Sequence, residues 1–300
     1  MRILLIVNPS SGRGRAARLL PIVRDSLNAM DITIVESLSL QHLTELASQG
    51  TRDNYDIVCA VGGDGTIHYV VTGIMQAFKE LGSNTSNTAL GIIPLGRGND
   101  IARTLKIPTD PVAACQVLRQ GKTKRIDLAY TGKHYYAGVA GVGFDAEATR
   151  LANETKLTGR GLPAAFIYIY AVLSILLRYR PKNVRIIHDQ GTFEGRIMLA
   201  ALSNGQAYGG GMMITPIAQV DDGLLDICIV REVSKLRLLL NFPQVFRGQH
   251  LSHPFVTYLH TRKAVVSADE LMELYGDGEY LENTPLTIEI MPQCLPIVIP

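Results

Sequence analysis

The chain has 300 residues, 47% of them hydrophobic and 19% charged, with a formal net charge of +2. That composition excludes a disordered chain and gives enough length for about two domains with buried cores. The small net charge, the absence of tryptophan and the lack of any aromatic series exclude a nucleic-acid partner.

Ile3 to Val7 is a continuous apolar run and predicts a buried strand. It stops at Asn8-Pro9, too soon for an export signal, and no small-residue cleavage site follows. Ser10 to Gly14 reads as a loop and Arg15 to Ala29 as a helix. Ile32 to Glu36, Ile57 to Val61 and Leu90 to Ile93 read as further strands. Gln41 to Gln49, Ile67 to Lys79, Asp100 to Leu105 and Pro111 to Gln120 read as helices. Strands that are apolar without alternation, separated by helices, imply a doubly wound parallel sheet covered on both faces. Ligands on such sheets bind beyond the carboxyl ends of the strands. Glycine-rich loops follow Val7, Val61 and Ile93 at those ends.

After Asp127 the pattern changes. Tyr135 to Val139, Val184 to His188, Arg196 to Leu202, Leu225 to Val230, Lys263 to Ser267 and Leu286 to Ile290 read as short strands of an antiparallel sandwich or curled sheet. One helical interruption is expected, Ala164 to Arg178. The expected division is an α/β domain over residues 1–128 and a β-rich domain over 129–291. The longest apolar stretch, Leu162 to Leu177, is shorter than the ~20 residues that span a bilayer. The four cysteines are far apart, with no Cys-x-x-Cys pair, which excludes a zinc knuckle and fits a reducing cytoplasm.

The chemistry concentrates in a few loops. Gly62-Gly63-Asp64-Gly65-Thr66 joins a strand to a helix, where backbone amides and the helix start attract phosphate. An aspartate there repels phosphate unless it acts on a metal ion, a hydroxyl or a water. In isolation the same residues also fit a tight turn with a capping acid. Pro94-Leu95-Gly96-Arg97-Gly98-Asn99-Asp100 repeats the combination of glycines and a carboxylate before a helix, with capping by Asn99 or Asp100 as the plainer reading. The first loop, Asn8 to Gly14, matches neither a Walker loop nor a Gly-x-Gly-x-x-Gly dinucleotide pattern. Ser203 to Gly211 is too glycine-rich for a plain strand. Asp221-Asp222-Gly223 and Asp277-Gly278-Glu279 both read as hairpin turns.

Taken in order, Asn8-Pro9-x-Ser-Gly12, Gly62 to Thr66, Pro94-x-Gly-x-x-Asn99-Asp100, Gly141 to Asp145, Asn204-x-x-x-Tyr208-Gly209-Gly210-Gly211, Asp222 to Asp226 and Asp277-Gly278-Glu279 resemble the diacylglycerol kinase catalytic family, in particular its soluble bacterial lipid kinases. The resemblance implies a nucleotide-binding α/β domain and a β-rich lipid-substrate domain with the active site in the cleft, and residues 292–300 returning to the first domain. It implies ATP on Asn8, Ser37, Gly62, Gly63, Asp64, Gly65, Thr66, Gly96, Arg97 and Asn99. Magnesium maps to Gln219, Asp222 and Leu224, the first and last through backbone carbonyls, and hard oxygen donors suit that ion. Glu279 maps to the proton acceptor, and Asp64, Asp100 and Asp127 to acids of the catalytic network.

Four positions depart from the family pattern. Ser37 stands for threonine, His68-Tyr69 for Asn-Glu and Arg97 for threonine. His68 also reads as an ordinary helix-face histidine.

The expected function is transfer of the γ-phosphoryl group of ATP to a lipid hydroxyl, most readily that of diacylglycerol, at a membrane surface. Leu162 to Leu177 is a candidate wall of the lipid path, and Arg178, Arg180, Lys182 and Arg185 are candidates to meet anionic headgroups. A buried helix with a solvated basic end is the alternative. The expected location is the cytoplasm, peripheral to the membrane, with a homodimer left open. An NAD kinase-like enzyme and a non-catalytic nucleotide or lipid sensor are the competing functions.

Overall fold

The computed structural model describes residues 1–82, 87–154 and 164–300. The chain divides into two compact units, Met1–Asp127 with Gln293–Pro300, and Leu128–Pro292.

The first unit runs β1 (Arg2–Val7), α1 (Ser11–Ser26), β2 (Asp31–Glu36), α2 (Leu40–Arg52), β3 (Ile57–Gly62), α3 (Asp64–Leu81), β4 (Ala89–Pro94), α4 (Asp100–Thr104), α5 (Pro111–Gln120) and the start of β5 (Thr123–Tyr130). The first four strands lie in the order β2-β1-β3-β4, all parallel. Every residue of β3 and β4 is buried, as their unbroken apolar runs require. Ile3, Leu5 and Val7 of β1 and Cys59 and Val61 of β3 pack with α1 and α5 on one face. On the other face Gly50 of α2 lies against Leu4 and Val58. Local signals fix the helix ends. Ser39 Oγ accepts the His42 amide at the start of α2. An Asp110 carboxylate oxygen accepts the Ala113 amide at the start of α5, and Gly121 closes that helix at φ +63°.

The second unit contains the end of β5, β6 (Tyr135–Tyr136), β7 (Val139–Gly143), α6 (Phe144–Glu154), α7 (Ala164–Leu176), β8 (Lys182–His188), β9 (Gly191–Ser203), β10 (Leu225–Arg231), α8 (Lys235–Asn241), two 3₁₀ turns (Phe242–Arg247 and Gln249–Ser252), β11 (Val256–Thr261), β12 (Lys263–Ala268), β13 (Glu273–Gly276), β14 (Glu279–Asn283) and the start of β15 (Leu286–Val298). Its strand order is β14-β13-β7-β9-β8-β12-β15, with β10 and β11 added beside β9. Alternation along β9 serves two cores. Ala200 and Leu202 point into one, and Leu199 and Ala201 point into the other, which α6 and α7 cover.

The end of β15 belongs to the first unit, where Ile297 pairs in parallel with Leu90 of β4. Among the described residues, no helix is long and apolar enough to cross a membrane.

The second unit differs from expectation in three ways. It holds α6 and α8 besides α7. Alanine, glutamate and arginine give α6 its propensity, and Ser234 Oγ caps α8 by accepting the Arg237 amide. The expected strand over Tyr135 to Val139 breaks at Ala137-Gly138, because both amides donate to the Asp277 carboxylate at 2.9 Å and leave the ladder. Finally, Asp221-Asp222-Gly223 is not a tight hairpin turn, although the strands it lies between, β9 and β10, pair antiparallel. It ends the long loop from Ser203 that feeds β10.

Helices α2 and α3 cross closely at Gly73. A β-carbon there would strike the Thr44 carbonyl and lie 2.8 Å from Ala47 Cβ. Alanine gains about 1 kcal/mol of helix propensity, but overpacking against rigid backbone costs about 1–3 kcal/mol. Gly73→Ala is therefore expected to lower the urea midpoint despite the better helix former, and a raised midpoint would refute the crossing.

Candidate functional site

The three glycine loops of the first unit meet at the carboxyl ends of its strands. Asn8 donates its amide to Thr66 Oγ1 at 3.0 Å and accepts from Ser10 Oγ at 2.8 Å. Leu95 and Gly96 amides both bond the Gly62 carbonyl. Gly63 and Gly96 touch backbone to backbone, so a β-carbon on Gly96 would strike Gly63 Cα. A β-carbon on Gly62 would strike the Thr66 side chain. Gly12, Arg13 and Gly14 all take left-handed backbone angles, so regular helix in α1 begins only at Arg15. Ser37 is buried just past β2, with its amide on the Val7 carbonyl at 2.8 Å.

The acids of this unit have distinct surroundings. An Asp64 oxygen accepts the Ile101 amide at 3.1 Å, linking the second loop to α4. Asp100 is buried and pairs with Arg103 at 2.9 Å. Gly98 lies between them. A β-carbon there would sit 2.9 Å from Asp64 Oδ2 and 3.1 Å from Asp100 Oδ2. Asn99 takes a left-handed conformation (φ 55°) and its side chain donates to the Gly96 carbonyl at 3.3 Å rather than capping α4. Asp127 is fully buried and accepts the Gln293 amide at 2.6 Å, which fastens the returning terminal strand to β5. The structure thus gathers Asn8, the Gly62–Thr66 turn, Gly96, Asn99 and Asp100 in one loop cluster. It ties Asp127 to the chain return.

One residue of this cluster escaped the sequence reading. Arg13 is close enough to Arg97 that its charge, after burial, pulls the Arg97 pKa down. Both guanidiniums are exposed. A lone arginine in a glycine-serine loop gave no such signal, because the pairing spans distant loops.

In the second unit, Glu279 opens β14 beyond a tight turn whose Asp277 and Gly278 both have positive φ (53° and 90°). The Asp277 carboxylate grips Ala137 and Gly138, and the Gly278 carbonyl accepts from Asn153 at 2.7 Å. The turn that carries Glu279 is therefore held from two sides. The loop before β10 is pinned as well. Thr215 Oγ1 donates to the Gly205 carbonyl at 2.8 Å and Gln206 to the Ala218 carbonyl at 3.0 Å.

Gln219, Asp222 and Leu224 lie at the end of that loop, and Asp222 Oδ1 accepts the Leu224 amide at 3.0 Å. One carboxylate and two carbonyls are hard oxygen donors on an accessible turn, and as a donor set they fit magnesium with water completing its shell. Among the described residues, no three His, Cys, Asp or Glu side chains converge to form a metal cluster.

The second unit also holds a cavity of about 60 Å³ that opens to solvent. Its walls are apolar, from Val172, Leu176, Leu199, Leu238, Phe242 and Val245, and Asp145 and Tyr208 supply polar points. Asp145 is 2% exposed, and its Oδ1 has no hydrogen-bond partner. Burial pushes its pKa up to about 7, against the opposing effect of backbone amides and the Tyr208 hydroxyl. His250, whose Nε2 lies 3.0 Å from the Ile214 carbonyl, is held toward its neutral form by burial. Asp145 belonged to a glycine motif in the sequence, but nothing local there showed that it would face an apolar chamber.

The folded-state pKa of Asp145 lies above its unfolded value, so the native state binds the proton more tightly. Stability from this group is complete below about pH 4 and falls as pH rises to about 7, by roughly 4 kcal/mol at most. Asp145→Asn is expected to flatten that decline in urea titrations between pH 4 and 8. An unchanged slope would show that Asp145 titrates normally.

Known proteins resemble the chain over most of its length. Residues 2–131 match the family model described as the diacylglycerol kinase catalytic domain, and residues 138–299 match that of the YegS C-terminal NAD kinase beta sandwich-like domain. A protein of Staphylococcus saprophyticus named diacylglycerol kinase is 29% identical over 286 residues, covering 95% of this chain and 90% of its own. One of Staphylococcus epidermidis with the same name is 28% identical, covering 100% and 92%. A crystal structure described as a "putative diacylglycerol kinase from Bacillus anthracis" superposes with a TM-score of 0.82 at 23% identity, covering 100% of this chain and 95% of that one, which is a likeness of fold.

Proposed function

The chain belongs to the diacylglycerol kinase catalytic family and is a lipid kinase, and from that premise we propose that ATP is its phosphoryl donor and a diacylglycerol-type lipid its acceptor. The observation that carries the acceptor is the apolar cavity with Asp145 at its wall. An acyl or alkyl tail matches those walls, with the Asp145 carboxyl as a polar contact for the ester groups above it.

The donor reading rests on the first unit. Amides of the Gly62–Thr66 turn and the Gly96 loop bind the triphosphate, with the dipole of α3 adding to their attraction. Arg13 and Arg97 neutralise its charge, and Asn8, Ser37 and Asn99 orient the nucleotide. Asp64, held by the Ile101 amide, and Asp100, held by Arg103, bind the cation that accompanies the phosphates. Asp127 supports the network through the strand it fastens. Gln219, Asp222 and Leu224 would hold magnesium in a structural role, and magnesium bound with the nucleotide would supply charge neutralisation. Glu279, on its doubly braced turn, accepts the proton of the lipid hydroxyl as the oxygen attacks the γ-phosphorus. Phosphoryl transfer through a loose transition state asks mainly for positioning and electrostatic support, so no covalent nucleophile is needed.

An NAD kinase is the second reading, favoured by the description of the matched C-terminal domain. It needs no apolar acceptor chamber. Incubation with radiolabelled ATP, offering NAD and a total lipid extract side by side, separates the two, with label expected in a lipid identified by mass spectrometry. Label in NAD alone would overturn the acceptor proposed here. Glu279→Gln and Asp64→Asn are expected to lower kcat by about 10²–10⁴-fold with unchanged unfolding midpoints. Retained turnover in either would remove that residue from the mechanism.

A further inference from the structure

His250 stands in the wall of the apolar cavity and is 4% exposed. Backbone contacts set its place. The Met213 amide donates to the Val245 carbonyl at 3.0 Å. Gly248, at φ +66°, lies so close to the same loop that a β-carbon on it would sit 2.7 Å from Pro216 Cβ. The 3₁₀ turn Gln249–Ser252 is thereby held against the loop before β10, with His250 Nε2 3.0 Å from the Ile214 carbonyl. A carbonyl oxygen only accepts, so Nε2 carries the ring proton. Burial, with the charge of His253 as a lesser cause, holds the ring toward its neutral form. Nδ1 is then a bare acceptor, and no donor among the described residues reaches it.

Neighbouring polar groups of the wall are matched. Asn241 donates its amide to the Arg237 carbonyl at 2.7 Å, and its Oδ1 accepts from Gln244 at 3.1 Å. That bond turns Gln244 Oε1 toward His253 Nε2, at 2.9 Å, and the His253 ring stacks on Phe255. His250 Nδ1 is the exception on this side of the cavity. A buried acceptor without a donor favours a ligand that brings one, and such a site discriminates against the analogue that lacks it.

The donor has to come from whatever fills the cavity. Plain hydrocarbon and ester groups bring none. A hydroxyl is the smallest group that does, and the cavity holds only about 60 Å³. An amide N–H would bring a carbonyl that needs a donor of its own, which walls such as Val172, Leu176, Leu238 and Val245 do not offer.

We propose that His250 Nδ1 selects an acyl chain that carries a hydroxyl group, so that the preferred acceptor is a hydroxyacyl lipid rather than one with plain hydrocarbon tails. This rests on the lipid-acceptor reading of the cavity and deepens it by naming the kind of tail. His250 acts on specificity and takes no part in phosphoryl transfer.

The test uses the full protein and fatty-acid methyl esters that displace a fluorescent fatty acid from the cavity. One set carries a hydroxyl moved stepwise along the tail, a second carries a methoxy group at the same carbons, and a third is unsubstituted. A single hydrogen bond is worth about tenfold, so one hydroxyl position is expected to bind at least about tenfold tighter than its methoxy partner and the unsubstituted ester. Diacylglycerol built from that hydroxyacyl tail should show the same preference in kcat/KM, carried by KM. His250→Gln keeps a donor for the Ile214 carbonyl and removes the Nδ1 acceptor, so it should erase the preference. If that variant does not fold, the hydroxyl and methoxy esters on the parent protein decide the matter alone. Equal affinity for the three sets overturns the proposal and leaves Nδ1 to an ordered water. A preference that survives in His250→Gln overturns it as well, and so does failure of every ester to displace the probe. A hydroxyl preference in binding without phosphorylation of any diacylglycerol removes the acceptor reading and leaves His250 standing as a hydroxyl-reading site.

Discussion

The contact on which the nucleotide half depends is the approach of Gly63 to Gly96. Two strand-end loops touch through bare backbone, and no side chain can be inserted between them. The Gly62 carbonyl reinforces the contact by accepting both Leu95 and Gly96 amides. With these loops fixed, Asp64 reaches the start of α4, Asn8 reaches Thr66, and the remaining amides of the second and third loops are left for a ligand. A phosphate site made of backbone needs such enforced proximity, because amides cannot be reoriented one at a time as side chains can.

The acids that hold backbone differ from the one that faces the cavity. Asp127 and Asp277 fasten backbone: one receives the Gln293 amide where the chain returns, and the other receives two amides where a strand breaks. Both are structural uses of a carboxylate as a strong acceptor, and each positions an element that a chemical role requires. Asp145 is different. It lies in an apolar wall with one oxygen free of partners, and its proton is held to about pH 7. A carboxyl group in that state exchanges between donor and acceptor near neutrality, which suits contact with a hydroxyl better than contact with a fixed amide.

The first unit was legible because its signals are local. Apolar runs without alternation gave β1, β3 and β4, and glycine loops marked their carboxyl ends. The second unit was less so. Strand β11 mixes polar and apolar residues at positions half-buried on both faces, so neither period of two nor an apolar run appears. Helix α8 is too short for helical periodicity to register. The break at Ala137-Gly138 depends on Asp277, 139 and 140 residues away in sequence. The Arg13–Arg97 pairing and the chamber behind Asp145 likewise arise only when distant segments are packed together, and no window of sequence contains them.

The departures at Arg97 and His68-Tyr69 take on meaning together. Relative to the family pattern, Tyr69 removes a carboxylate from the turn of α3, and Arg97 adds a cation to the third loop. Both changes move the loop cluster toward positive charge. Arg13 already contributes one guanidinium there, and burial first and the Arg13 charge second lower the Arg97 pKa. On the proposed reading the repulsion between the two is relieved by the triphosphate and becomes preference for an anionic ligand. His68, buried beside Tyr69 with their rings edge to face, packs in the helix layer, so the loss at this turn is one of charge rather than of structure. On that reading the lost carboxylate and the added guanidinium act in the same direction, toward an anionic ligand.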